Sequence, residues 1–130
     1  MKNFIFRNKK WSITGAASGI GKSTAIEISK LWTNLFLTDI NSTGLEKVSE
    51  IIKSQGGSVS RYKALDITKY NELKGFADEI HSEFGPMDIL MNIAGISIWG
   101  EVHKLQHEHW KKVINVDLWG PIHGIECFLS

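Results

Sequence analysis

The stretch TGAASGIGKST, Thr14 to Thr24, follows directly on the short apolar run WSIT, Trp11 to Thr14. It leads into Ile20, Thr24, Ile28 and Leu31, which recur at helical spacing. A strand that turns through glycines into a helix offers free amides and the positive end of the helix dipole to whatever lies above the turn. A phosphate suits that place, and two kinds of loop compete for the sequence. A mononucleotide loop of the form G-x-x-x-x-G-K-[ST] needs glycine at position 16, where this chain has Ala16. The alternative pattern, G-x-x-x-G-x-G, uses Gly15 for the sharp turn. It uses Gly19 and Gly21 for close approach of a diphosphate and of the sheet. This second reading predicts a helix beginning near Ile20 and a dinucleotide as ligand.

The rest of the chain alternates in the same way. Leu35 to Thr38 is a second strand ending at Asp39, and Ser42 or Thr43 is placed to cap a helix lined by Leu45, Val48 and Ile52. Gly56-Gly57 stops that helix. Val59 to Leu65 is a third strand, closed by Asp66. Thr68 is placed to cap a helix carrying Leu73, Phe76, Ala77, Ile80 and Phe84. Met87 to Ile93 is a fourth strand, and a last helical stretch runs from about Gln106. Strands separated by helices imply a parallel sheet with right-handed crossovers. The expected fold is α/β, a Rossmann-type doubly wound parallel sheet of about four strands in the order 3-2-1-4. Asp39 stands where an acidic residue would bond the ribose hydroxyls and repel a 2′-phosphate, so NAD is expected rather than NADP.

These features resemble the short-chain dehydrogenase/reductase family over essentially the whole chain. The resemblance is carried by Thr14–Gly21, Asp39, Asp66-Ile67, Asn92-Ile93-Ala94-Gly95 and Val116-Asp117-Leu118-Trp119-Gly120. It implies an oxidoreductase that moves a hydride between nicotinamide and an alcohol or carbonyl compound. The cofactor would be held by Gly15, Ser18, Gly19, Ile20, Gly21, Asp39 and Ile40. Asp66 and Ile67 would hold the adenine through carboxylate and backbone, and Asn92, Ala94 and Gly95 would lie under its ribose. Asp117 falls on the family's catalytic asparagine, where a carboxylate loses the amide's donor. The family's serine and Tyr-x-x-x-Lys belong to a strand and helix beyond Ser130. The resemblance therefore makes this chain a single domain, residues 1–130, incomplete at its carboxyl end and not expected to turn over alone. A non-catalytic dinucleotide-binding or interaction module, or a decayed fragment, is the alternative.

Other residues carry less. Tyr70 and Lys74 make a formal Y-x-x-x-K, but on the helix after Thr68 Tyr70 reads as a solvated residue. His103, His107 and His109 lack a completing acidic or cysteine ligand at metal-site spacing, so no metal is expected. Trp99, Trp110 and Trp119 read as packing residues. Lys30-Leu31-Trp32-Thr33-Asn34 stands where the family ends its first helix with glycine, so Trp32 is expected to be strained if the backbone there is left-handed. A formal net charge of +1 gives no reason to expect nucleic acid. No apolar run approaches the ~20 residues of a membrane span. The start, MKNFIFRNKKW, is too short in its apolar core for a secretory signal, and Cys127 is alone. A cytoplasmic protein is expected. The resemblance further implies a homo-oligomer through the last helix, whose apolar face would carry Val113, Val116, Leu118, Ile122 and Ile125.

Overall fold

Lys10–Thr14 (β1) alternates Trp11 and Ile13 with Ser12 and Thr14, and all four side chains are buried because the strand is covered on both faces. The computed structural model describes residues 4–129; the first three residues of the amino-terminal stretch, and Ser130, lie outside them. After β1 come Gly19–Ser29 (α1), Asn34–Asp39 (β2), Ser42–Ser54 (α2), Arg61–Ala64 (β3), Tyr70–Phe84 (α3), Ile89–Asn92 (β4), His107–Ile114 (α4) and Gly120–Phe128 (α5). The strands are all parallel and run β3-β2-β1-β4, as the sequence pattern predicts. The register sets Thr14 beside both Thr38 and Asn92, so the carboxyl ends of β2, β1 and β4 open at one level. No helix among the described residues is long and apolar enough to cross a membrane.

Strand alternation divides the core in two. Ile13, Leu35 and Leu37 pack with Ala25, Leu45, Val48 and Ile52 beneath α1 and α2. Phe36 faces the other way, with Leu73, Phe76 and Ile80 of α3 and Cys127 and Phe128 of α5. Each of these large side chains contributes roughly 1.5–3 kcal/mol by leaving water. The third strand is shorter than the apolar run suggested. Arg61–Ala64 is an exposed edge, its charges paired as Arg61–Glu83 and Lys63–Glu79. Such a charged edge discourages pairing with another strand.

Two expected helix caps move by one residue. Asn41, not Ser42 or Thr43, caps α2, its side chain accepting from the Gly44 amide at 2.9 Å. Lys69, not Thr68, stands at the N-cap of α3, because the Thr68 hydroxyl is bonded to Asp66 Oδ1. Trp32 does adopt a left-handed backbone, φ 62°, costing about 1 kcal/mol or more relative to glycine. Its ring lies under the Arg7 guanidinium at 5.2 Å.

The last helical stretch is not uniform. Between α4 and α5 the residues Asn115–Trp119 form a π-helical turn, closed by the Gly120 amide donating to the Asn115 carbonyl five residues back.

At the other end of the sheet Asp88 ties β4 to β1. Its Oδ2 accepts from the Lys10 amide at 2.8 Å, and its own amide donates to the Lys10 carbonyl at 3.1 Å. The bonded Lys10 amide, helped by Lys9, holds the Asp88 carboxyl below its ordinary value. A depressed carboxyl stabilises the fold above its ordinary pKa, and that contribution disappears as pH falls through the lower, folded value. Melts between pH 7 and pH 3 are therefore expected to show a smaller acid loss in Asp88→Asn than in the wild type.

Candidate functional site

Gly15 leaves β1 with φ +70°, and a Cβ there would stand 2.7 Å from the Ala94 backbone. Gly21 is closer still to its neighbours: its Cβ would lie 2.0 Å from the Gly15 carbonyl oxygen, inside the turn itself. Gly19 differs. It has φ +51° with nothing within 4 Å of the added atom, so its free side is open space. Ser18 is the extended residue before α1, with no side-chain cap, and the first helical bond runs from the Lys22 amide to the Ser18 carbonyl. The amides of Gly19, Ile20 and Gly21 therefore have no acceptor within the helix.

Two carboxylates are fixed beside this turn. Asp39 accepts from the Ala17 amide at Oδ2 and from the Asn41 amide at Oδ1, both at 3.0 Å, which welds the end of β2 to the glycine turn. Asp66 accepts at Oδ1 from the Thr68 amide, 2.9 Å, and the Thr68 hydroxyl, 2.7 Å. Its own amide donates to Glu72 Oε2. Thr14 joins the fourth strand to the first: its buried Oγ1 accepts from the Ile93 and Ala94 amides, each at 3.2 Å. Replacing the hydroxyl by a methyl in Thr14→Val would leave both amides without an acceptor. It is expected to cost about 2 kcal/mol, while Thr14→Ser stays near the wild type in a denaturant titration.

These parts surround an open cavity of about 850 Å³ at the carboxyl ends of the strands. Gly15, Ser18, Gly19, Ile20, Gly21, Asp39, Ile40, Asp66, Ile67, Ala94 and Gly95 all line it. Asn92 does not. Its side chain turns to the Pro121 carbonyl at 3.3 Å, because Gly124 of α5 leaves room for it on that side. Asp117 also lies outside the lining. Its Oδ1 accepts from the Ile96 amide at 2.8 Å, so it braces the wall behind Gly95.

The sequence reading missed one wall. Glu108, Lys111, Lys112, Asn115 and Val116 close the cavity from α4 and the π-helical turn. Their spacing marks a single helix face, a signal legible in principle. Tyr70 and Lys74 stand away from the cavity: Tyr70 meets the His123 ring edge-on at 5.5 Å, and Lys74 bonds Asp78. Of the tryptophans read as packing residues, Trp99 is exposed, and Trp110 and Trp119 are about half exposed, Trp119 with one side against the His123 ring. His109 Nδ1 accepts the Gln106 amide at the start of α4, and His103 pairs with Glu101. Among the described residues no group of three or more metal-ligating side chains comes together.

The chain resembles known proteins in sequence and in fold. It is 37% identical over 114 residues to the uncharacterized oxidoreductase YxbG of Bacillus subtilis, covering 87% of this chain and 41% of that one. It is 33% identical over 108 residues to the 2,3-dihydro-2,3-dihydroxybenzoate dehydrogenase of the same organism, covering 83% and 41%. The chain thus spans less than half the length of these relatives. Among solved structures, an alcohol dehydrogenase from Thermococcus sibiricus superposes with a TM-score of 0.87 at 29% identity, over 95% of this chain and 52% of that one. The citronellol catabolism dehydrogenase of Pseudomonas aeruginosa PAO1 gives 0.90 at 28% identity, over 99% and 52%. The pattern of the short chain dehydrogenases matches residues 9–130, which takes in the glycine turn, both fixed carboxylates and the helix behind them. The chain belongs to the short chain dehydrogenase family.

Proposed function

We propose that this chain forms the NAD-binding part of an oxidoreductase acting on an alcohol or carbonyl compound. The observation that carries the proposal is one cavity holding an uncapped helix N-terminus, open at Gly19, together with the anchored carboxylates of Asp39 and Asp66. The donor set fits the adenosine and diphosphate part of a nicotinamide dinucleotide. Three unbonded amides at Gly19, Ile20 and Gly21 suit the diphosphate, and the gap beside Gly19 is what a side chain would have filled. Asp39 suits ribose hydroxyls, while Asp66 and Ile67 suit the edge of an adenine. A bound nicotinamide would supply the hydride acceptor or donor; the residues here would bind and orient the adenosine diphosphate that carries it.

Relatives bind either cofactor: a solved structure from Burkholderia phymatum contains NAD, and the Thermococcus sibiricus enzyme is complexed with 5-hydroxy-NADP. The choice of NAD comes from Asp39. Its charge is pinned by two backbone amides and cannot swing away from a 2′-phosphate, and Ser18 beside it brings no compensating cation. Calorimetric titration is expected to show NAD binding, with NADP weaker by about tenfold or more. Binding of neither would remove the reading.

One observation favours a second reading, a dinucleotide-binding module without catalysis. Asp117 replaces the amide expected at the family's catalytic asparagine, and its carboxylate is committed to Ile96. Retained NAD binding with no hydride transfer to NAD from any of a panel of alcohols would support that reading for this chain.

Self-association is part of the proposal. Leu118 and Ile125 are exposed, joined by Trp110 and Ile114, whereas Val113, Val116 and Ile122 are half-buried. Exposed apolar side chains of this kind on the last helical stretch favour a second copy as their cover. Sedimentation of a concentration-independent monomer would count against it.

A further inference from the structure

We infer that His123 is a positioning residue for the adenine end of the cofactor, acting through the Ile67 carbonyl. The inference rests on the dinucleotide reading and adds to it a residue outside the cavity. His123 Nδ1 lies 2.7 Å from the Ile67 carbonyl oxygen. A carbonyl only accepts, so Nδ1 carries the hydrogen, and both the neutral Nδ1–H tautomer and the imidazolium can donate it. The ring is held from two sides. Tyr70 of α3 meets it edge-on at 5.5 Å, and Trp119 lies tilted against it at 6.0 Å.

A second contact from the same helix face fixes the same residue. A Cβ on Gly120 would fall 2.4 Å from Ile67 Cδ1, so the isoleucine side chain is seated against bare backbone one turn before His123. Ile67 is thus gripped by its carbonyl and by its side chain, and it is buried with the α3 and α5 core while still lining the cavity. The Asp66–Thr68 turn keeps its own shape through the two bonds from Thr68 to Asp66. Those bonds are local and do not say where the turn sits relative to the cavity. The Leu65 amide, donating to the Asp39 carbonyl at 3.0 Å, ties the start of the turn to β2, and the bond from His123, 56 residues along the chain, supplies the reference on the α5 side. Without it the turn is held only at its β2 end and by the Ile67 side chain, so it can tilt, and the carboxylate and amide that would meet the adenine edge tilt with it.

Three proteins test this: the wild type, His123→Phe, which keeps a ring between Tyr70 and Trp119 but has no donor, and His123→Asn, whose amide nitrogen reaches the place of Nδ1. Each is titrated with NAD and with nicotinamide hypoxanthine dinucleotide, which carries an oxygen in place of the adenine amino group. His123→Phe is expected to bind NAD about three- to tenfold more weakly and to lose most of its preference for NAD over the hypoxanthine analogue. His123→Asn is expected to keep both affinity and preference. If His123→Phe does not fold, His123→Ala takes its place in the same comparison. An unchanged preference in the donor-less variant, or equal losses in the asparagine variant, would overturn the inference while leaving the dinucleotide site standing. A wild type that binds neither dinucleotide would overturn the proposed function itself, and the role of His123 with it.

Discussion

Gly21→Ala is expected to lower the melting temperature by on the order of 10 °C or more and to abolish dinucleotide binding in whatever fraction stays folded. The added carbon would lie 2.0 Å from the Gly15 carbonyl oxygen and 2.6 Å from its carbon, and both are backbone atoms. No side chain can rotate to relieve the clash, so the turn itself must open. Overpacking a core costs about 1–3 kcal/mol when neighbours can adjust, and this site belongs at or above that upper end. For a domain of this size each kcal/mol moves the midpoint by several degrees. Gly19→Ala separates the two effects. Nothing stands near its Cβ, so the penalty is the strained φ of +51° alone, roughly 1 kcal/mol, while the methyl enters the space assigned to the diphosphate. Differential scanning calorimetry and NAD titration of both variants check the pair. A Gly21→Ala protein as stable as the wild type would refute the packing described for the turn.

Asp39→Ala is expected to weaken NAD binding by about 10- to 100-fold. The carboxylate would bond the ribose, and it also holds the Ala17 and Asn41 amides, so its loss loosens the glycine turn as well as removing a contact. Asp39→Asn isolates the charge. One oxygen remains to accept an amide bond, but the repulsion of a 2′-phosphate goes. The gap between NAD and NADP is then expected to narrow while NAD binding falls less than in Asp39→Ala. Unchanged discrimination in the asparagine variant would show that Asp39 does not choose the cofactor.

Much of the molecule was legible because its signals are local. The glycine turn, the apolar runs and the acids at their ends are each written within about twenty residues, and they predict the strand order that the sheet adopts. The condition set for strain at Trp32, a left-handed backbone where the family has glycine, is met in the structure. The caps were harder, since Asn41, Ser42 and Thr43 all have the chemistry to cap α2, and only the backbone decides among them. Asn92 was harder to read for a different reason. Its place at the end of β4 says where the residue stands, but Gly124, far along the chain on α5, decides where its amide turns. His123 was invisible on the same grounds, since its partner is set by how α5 lies across the Ile67 turn.

The π-helical turn at Asn115–Trp119 gives the two halves of the last helical stretch independent angular settings. One surplus residue in a helix turns everything after it by about 100° about the axis. Upstream, Glu108, Lys111 and Lys112 are phased toward the cavity; downstream, Gly120 and His123 are phased toward Ile67. Shortening the segment by a residue would make a smoother rod and a worse protein, because aiming either half correctly would misdirect the other.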